Sequence, residues 1–401
     1  MRGPLDGILV ADLSTVLAGP YATMLLGDLG ADVVKVEPPE GDATRGWGPP
    51  WIGSGEARTA AYYLAVNRNK RSIRLDLRRP GAQAVLERLV GRADVLVENL
   101  RPGGLDRIGL DERRLAELNP RLVHVAISGY GTGGEAAARG GYDFVVQAES
   151  GLMSITGFPG ESGGGPTKVG VAIDDVVTGL HVAVAVLAGL LGRERGASAG
   201  QRIDVSLLGA ALSALVNQAQ NAWAGVVPGR LGNAHPNIVP YETFAAADGQ
   251  LALAVGSERQ WRRFCEALGA TELAEDVRFA TNGDRVVHRA ALRPLLAERL
   301  ATRSVAEWLT AFRAADVPAG AIHDVAAALD SPEARSLGAT TEVVHPVLGA
   351  VRQIAPVARY GATPATIRRP PPLPGEQRDE ILAELEFAGY EAEALRADGV
   401  P

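Results

Sequence analysis

The chain has 401 residues, 46% of them hydrophobic and 22% charged, with 48 Gly and 25 Pro. This ordinary globular usage excludes a disordered or collagen-like chain and leaves room for two or three folding units, or for one large unit with an insertion. Forty basic against 47 acidic side chains give a net charge of −7, so broad nucleic-acid binding is excluded and an anionic ligand must be held by a local basic cluster.

The one cysteine, Cys265, rules out an internal disulfide and a multi-thiolate zinc site, and suggests a reducing, cytoplasmic setting. The opening MRGPLDGILVADLS lacks the apolar core and cleavage site of a signal peptide. The longest apolar stretch, Val176 to Gly192, is short for a membrane span and carries Thr178 and His181, so it reads as a buried helix with no membrane partner.

In chain order, Ile8 to Leu13 reads as a strand, Pro20 to Leu29 as a helix closed by Gly30, and Asp32 to Glu37 as the next strand. Ser72 to Leu77 reads as another strand. Ala82, Val85, Leu86, Leu89 and Val90 then keep helical spacing, and Asp94 to Glu98 resumes the strand pattern. Asp111 is placed to cap a helix ending at Asn119-Pro120, before the strand Leu122 to Ile127. This alternation predicts an α/β, Rossmann-like domain with a mostly parallel sheet.

Gly151 to Gly170 is a Gly-, Ser- and Pro-rich loop leading to the apolar helix after Asp174-Asp175. Further on, YETFAAA and QLALAV, joined at Asp248-Gly249, predict a hairpin. Capping patterns at Ser257 to Gln260 and Ser304 to Glu307 open two helices. Residues 225–325 therefore read as a smaller α+β domain inserted between 1–224 and 326–401. The last segment carries short strands near Glu342 to Val351 and a helix near Glu380 to Leu395.

GYGTGG, Gly129 to Gly134, has glycine spacing used by dinucleotide folds, but no crossover helix with a terminal acid follows, so it reads as a loop. The six histidines show no metal-ligand spacing, and no metal is expected. Carboxylates remain for the chemistry. Asp174-Asp175 opens a long helix, where the dipole should keep a carboxylate ionised; such a group is either a nucleophile toward an activated acyl group or an N-cap. Glu258 sits in a first helical turn and is open to the same two readings. Basic residues gather in NRNKRS, with Lys70 and Arg71, and in ENLRPGGLDRIG, with Arg101 and Arg107; each is either a phosphate site or solvated surface.

Taken together, PLDGILVADLSTVLAGP, LGDLGADVVKVEPPEGDATRGW, NRNKRSIRLDL, ADVLVENLRPGGLDRIGL, NPRLVHVAISGYG, GGYDFVVQAESGL, VAIDDVVTGLHVAVAVLAGL and HPNIVPYETFAAADG resemble the family III CoA-transferases, a group that includes carnitine CoA-transferase and the α-methylacyl-CoA racemases. The resemblance runs through the whole chain. It implies a large domain made from both chain ends, an inserted small domain, and an interlocked homodimer. It also implies that CoA moves from an acyl-CoA donor, with succinyl-CoA or another dicarboxyl-CoA as the expected one, to a carboxylic acid. CoA is then a substrate, and no cofactor is permanently bound.

By the same resemblance the nucleophile is Asp175, three residues before Thr178-Gly179, with Tyr142, Asp143 and Glu258 also at the site. Its carboxylate attacks the donor thioester to give an aspartyl mixed anhydride, and CoA thiolate converts this to an aspartyl-CoA thioester that the acceptor collects. Val16, Lys70, Arg71, Asn99 and Arg107 match CoA-binding positions. The chain departs from formyl-CoA transferases at Leu17 and Pro38, and VGSERQW is the nearest equivalent of their glycine-rich lid. The racemase branch carries GHD where this chain has GYD. Tyr142, with a phenol normally near pKa 10, is a poor proton-transfer substitute for imidazole, so transfer is favoured over racemisation and over CoA binding without turnover.

Overall fold

The computed structural model describes residues 2–197, 199–387 and 389–401. Six strands, β1 (Leu9–Leu13), β2 (Asp32–Glu37), β3 (Lys70–Arg74), β4 (Val95–Glu98), β5 (Val123–Ser128) and β6 (Gln201–Ser206), form one sheet in the order β3-β2-β1-β4-β5-β6, with every neighbouring pair parallel. This is the doubly wound order. The chain reverses its direction of travel between β1 and β4, so the loops leaving the carboxyl ends of those strands diverge and open a crevice.

Helices cover both faces because the strands are apolar on both. On one face, Val10, Val33, Val95 and Val123 pack with α1 (Ala18–Asp28) and α5 (Ile173–Glu194) through Ala22, Leu26, Val182 and Val186. On the other, Ala11, Val34, Val36 and Leu96 meet Val85, Leu86 and Leu89 of α2 (Pro80–Arg92). The apolar positions of α2 are the ones its sequence periodicity selects. The following helix, α3 (Glu112–Leu118), is capped by Asp111, whose Oδ1 accepts the Arg114 amide at 2.7 Å.

Three features differ from the sequence reading. β3 begins at Lys70 rather than Ser72; Asp12 pairs with Lys70, and Asp32, Glu380 and Glu384 pair with Arg71, so both charged residues enter the sheet with partners. β6 went unrecognised because four of the six residues of QRIDVS, at the sheet edge, are polar. The helix α5 has 22 residues, longer than its apolar stretch suggested, and alone among the described helices it is long and apolar enough to cross a membrane. Its Val182, Val186 and Leu190 are nevertheless spent on the sheet core.

The chain forms two compact units, one of residues 1–151, 169–220 and 332–401, the other of 152–168 and 221–331. All of the glycine-rich stretch but its ends, Gly151 and residues 169–170, thus belongs to the second unit. That unit holds the hairpin β7 (Tyr241–Ala245) and β8 (Gln250–Ala254), extended by β9 (Ala319–Ala321), around a core of Trp261 and Phe264 from α7 (Glu258–Leu268) and Trp308 and Phe312 from α8 (Val305–Ala314). In the first unit, the terminal helix is two, α9 (Arg378–Glu384) and α10 (Tyr390–Ala397), separated near Gly389 at φ 56°. Ile381, Leu382 and Leu395 join the α2 side of the sheet core.

Candidate active site

The crevice at the carboxyl ends of β1 and β4 is a cleft with about 700 Å³ of space open to solvent; its lining includes Val16, Asn99, Arg101, Arg139, Tyr142 and Asp175. The loop after β1 is held from two sides. Asn99 accepts the Thr15 amide on Oδ1 at 2.9 Å and donates Nδ2 to the Thr15 carbonyl at 2.8 Å, while the buried Lys35 ammonium donates to the Ser14 carbonyl at 2.9 Å. Between these clamps Val16 takes φ 70°, a strained value for a β-branched residue.

Two glycines bring the next pair of residues to the cleft. The chain leaves β5 at Gly129 and returns at Gly141, and a Cβ on either would lie 2.5 Å or less from the other's backbone. Only glycine permits that approach, which closes the intervening loop at its neck. Tyr142 and Asp143 emerge from the neck, Asp143 as the first residue of α4 (Asp143–Glu149). Tyr142 is 65% exposed.

Asp175 lies in the first turn of α5 and is 9% exposed. The N-cap expected of Asp174-Asp175 comes from elsewhere: the cap position is Ala172, and the capping carboxylate belongs to Asp143. Asp143 Oδ1 accepts the Asp174 amide at 2.8 Å and the Asp175 amide at 3.4 Å, and Gln147 Nε2 donates to its Oδ2 at 2.7 Å. Farther along α5, Gly179 lets the helix approach α1, since a Cβ there would meet the Ala18 carbonyl at 2.7 Å.

This geometry reverses the expectation that the dipole keeps Asp175 ionised. Burial, then the charges of Asp143 and Asp174, pushes its pKa up to about 7. Asp174 is fully buried, neither carboxyl oxygen has a hydrogen-bond partner among the described residues, and burial followed by Asp143 pushes it to about 6. Tyr62, which sequence reading passed over, is raised to about 12 by burial and then by Asp175, Asp143 and Asp42; its ring meets Trp47 edge-on at 5.3 Å. Its neighbours Leu17, Ala172 and Val176 place it beside the start of α5.

Lys70 and Arg71 are placed in the interior, which does not fit the expected phosphate contact. The Lys70 ammonium bonds Asp12 Oδ2 at 3.0 Å, the Pro20 carbonyl and Asn67 Oδ1, so its three protons are used. Arg71, 2% exposed, bonds Asp32, Glu380 and Glu384. Arg107 is exposed on a short turn, Asp106–Ile108, and Arg101 rather than Arg107 lines the cleft. In the second unit, Glu258 accepts the Asn282 amide at 2.7 Å and pairs with Arg285 at 2.8 Å. Cys265 is buried there, and burial pushes its thiol up to about 12, which leaves it unreactive at neutral pH. Among the described residues no cluster suits a metal ion.

A carboxyl group at a helix start, in a cleft at the sheet's switch point, is arranged to attack an acyl group delivered there. Comparison with known proteins identifies the family. Residues 5–378 match CoA-transferase family III. The chain belongs to this family. It is 43% identical over 389 residues to the succinate–glutarate CoA-transferase of Agrobacterium fabrum, covering 96% of each, and 38% identical to the human succinyl-CoA:glutarate CoA-transferase, covering 95% of this chain and 86% of that one. Among solved structures, a CAIB/BAIF family protein from Brucella suis superposes with a TM-score of 0.84 at 41% identity, covering 96% of this chain and 100% of that one. The chain is thus a CoA-transferase, with CoA thioesters as substrates.

Proposed function

We propose that this CoA-transferase moves CoA from a dicarboxylic acyl-CoA, succinyl-CoA foremost, to a carboxylic acid, with Asp175 as the nucleophile. The observation that carries the reading is the position of Asp175: at the start of α5, largely shielded, and lining the switch-point cleft. One carboxylate oxygen attacks the thioester carbonyl, the C–S bond breaks, and CoA leaves as thiolate with Asp175 in a mixed anhydride. The thiolate then attacks the aspartyl carbonyl and releases the donor's carboxylate. Finally the acceptor carboxylate attacks the aspartyl-CoA thioester, and the thiolate completes the exchange on the acceptor. Shielding matters because water would hydrolyse the anhydride. The names of the two relatives, both acting between succinate and glutarate, support the dicarboxylic donor.

Asp143 positions Asp175 through the helix cap, and Tyr142 faces the bound acyl group. Val16 and Asn99 form the cleft wall for CoA, whose phosphates are met by Arg101 and Arg107; Lys70 and Arg71 keep a structural part, paired with Asp12 and with Asp32, Glu380 and Glu384. Glu258 keeps a structural part, tying Arg285 and Asn282 together. The working form is an interlocked homodimer in the cytoplasm. In its favour, Leu180, Val184 and Leu191 of α5, with Leu212 of α6 (Leu207–Ala214), are 47–63% exposed in the single chain, an apolar face suited to a second copy. The deciding experiment follows new thioesters by mass across a panel of acyl-CoAs and acids and traps the anhydride with hydroxylamine. Succinyl-CoA should yield glutaryl-CoA and a hydroxamate on Asp175. Absence of exchange across the panel overturns the reading.

A further inference from the structure

A dicarboxylic acyl group brings a second negative charge into a cleft lined by Asp175, with Asp174 and Asp143 close behind it, so a cation must meet it there. Arg101 and Arg139 are the cationic side chains in the cleft lining. Arg101 is exposed and stands on the same loop as Arg107.

Arg139 is half exposed as well but is held by its neighbours. Its Nη2 donates to Glu149 Oε1 at 2.5 Å and to the Tyr130 hydroxyl at 3.3 Å, and the guanidinium lies 4.3 Å from the Tyr130 ring centroid. One nitrogen and one face are thereby engaged, while Nε and Nη1 have no partner among the described residues. Tyr130 and Arg139 both lie within the loop closed by Gly129 and Gly141, so the guanidinium is fixed before a ligand arrives, and an anion that it binds forfeits little ordering entropy. Tyr142 follows three residues later on the same cleft wall.

We propose that Arg139 holds the distal carboxylate of the dicarboxylic acyl group or acceptor and thereby sets the preference for dicarboxylic over monocarboxylic acids. This rests on the CoA-transfer reading above. The phosphates of CoA are the other anions a guanidinium of this kind can take, and the test separates the two.

The intact enzyme and Arg139→Gln are compared with succinyl-CoA as donor and glutarate or butyrate as acceptor, alongside the Kd for CoA by titration calorimetry and a thermal melt. Loss of a charge-assisted contact should raise the KM for glutarate about tenfold to a hundredfold, leave butyrate within about threefold, and leave CoA binding unchanged. Arg139→Lys, which keeps the charge, should recover part of the glutarate affinity and serves if the Gln variant fails to fold. An equal loss for both acids with weakened CoA binding assigns Arg139 to a phosphate and overturns the proposal, as does an unaltered KM for glutarate. Absence of transfer by the unmodified enzyme sinks the transferase reading instead. Transfer that keeps its dicarboxylate preference in Arg139→Gln sinks only this assignment.

Discussion

One oxygen of Asp143 accepts the backbone amides of both Asp174 and Asp175, at 2.8 and 3.4 Å, so the carboxylate that starts α5 also fixes where Asp175 stands. The charge of Asp143 also opposes a charge on Asp175. Asp143 therefore places the proposed nucleophile while raising its pKa. Asp143→Ala should remove the cap, lower stability by about 1–2 kcal/mol, and reduce kcat by about tenfold or more through misplacement. Asp143→Asn keeps an acceptor oxygen and should retain most of the stability. Denaturant unfolding and steady-state kinetics on both variants check this, and equal stability loss in the two would contradict it.

Removal of the proposed nucleophile should separate binding from chemistry. Asp175→Ala should lose transfer by about a thousandfold or more while still binding CoA. Transfer surviving in that variant would assign the covalent step elsewhere.

The pH dependence follows from Asp175 and Asp174, raised to about 7 and about 6 from an ordinary 3.8. The nucleophile must be ionised, so the rate of acyl capture should fall as pH drops through about 7. For stability, the folded state keeps these protons where the unfolded chain has released them, so stability should decline as pH rises from about 4 to 7. Asp174→Asn removes one of the repelling charges. Its acid limb should move down by about half a unit to one unit, and its melting temperature should exceed that of the unmodified enzyme at pH 8, with the gap closing toward pH 4. A pH-rate profile and melts across that range test both.

Lys70 offers the opposite contrast. Burial pulls its pKa down to about 8 against the attraction of Asp12, and Lys70→Met would leave Asp12 buried without its main counter-charge. The expected cost is about 3–5 kcal/mol of stability, with CoA affinity in the folded fraction unchanged. A selective loss of CoA binding without loss of stability would return Lys70 to the phosphate site.

The neck glycines can be probed directly. Gly141→Ala places a methyl 2.3 Å from the Gly129 Cα, so the loop must open. We expect about 1–3 kcal/mol of destabilisation and a fall in kcat, with far-UV circular dichroism unchanged.

Local signals in the sequence were informative. The strand and helix alternation, the buried stripe of α2 and the Asp111 cap all rest on contacts a few residues apart. Asp175 is singled out by its motif, since position alone favours an N-cap. What escaped depends on distant partners. Asp143 caps a helix from 31 residues away. The charges of NRNKRS look like a ligand site until Asp12, Asp28, Asp32, Glu380 and Glu384 are seen to consume them. Asp175 looked ionised because the helix start was visible while the burial and the second and third carboxylates around it were not.

The closed neck at Gly129 and Gly141 makes the loop between them a side branch of the main path. Residues 130–140 start and finish at the same point, so the chain passes from β5 to Tyr142 and Asp143 across the neck, and the loop touches α4 again through Arg139 and Glu149. A loop of another length that keeps the two glycines and this ion pair would leave β5 and α4 joined as they are.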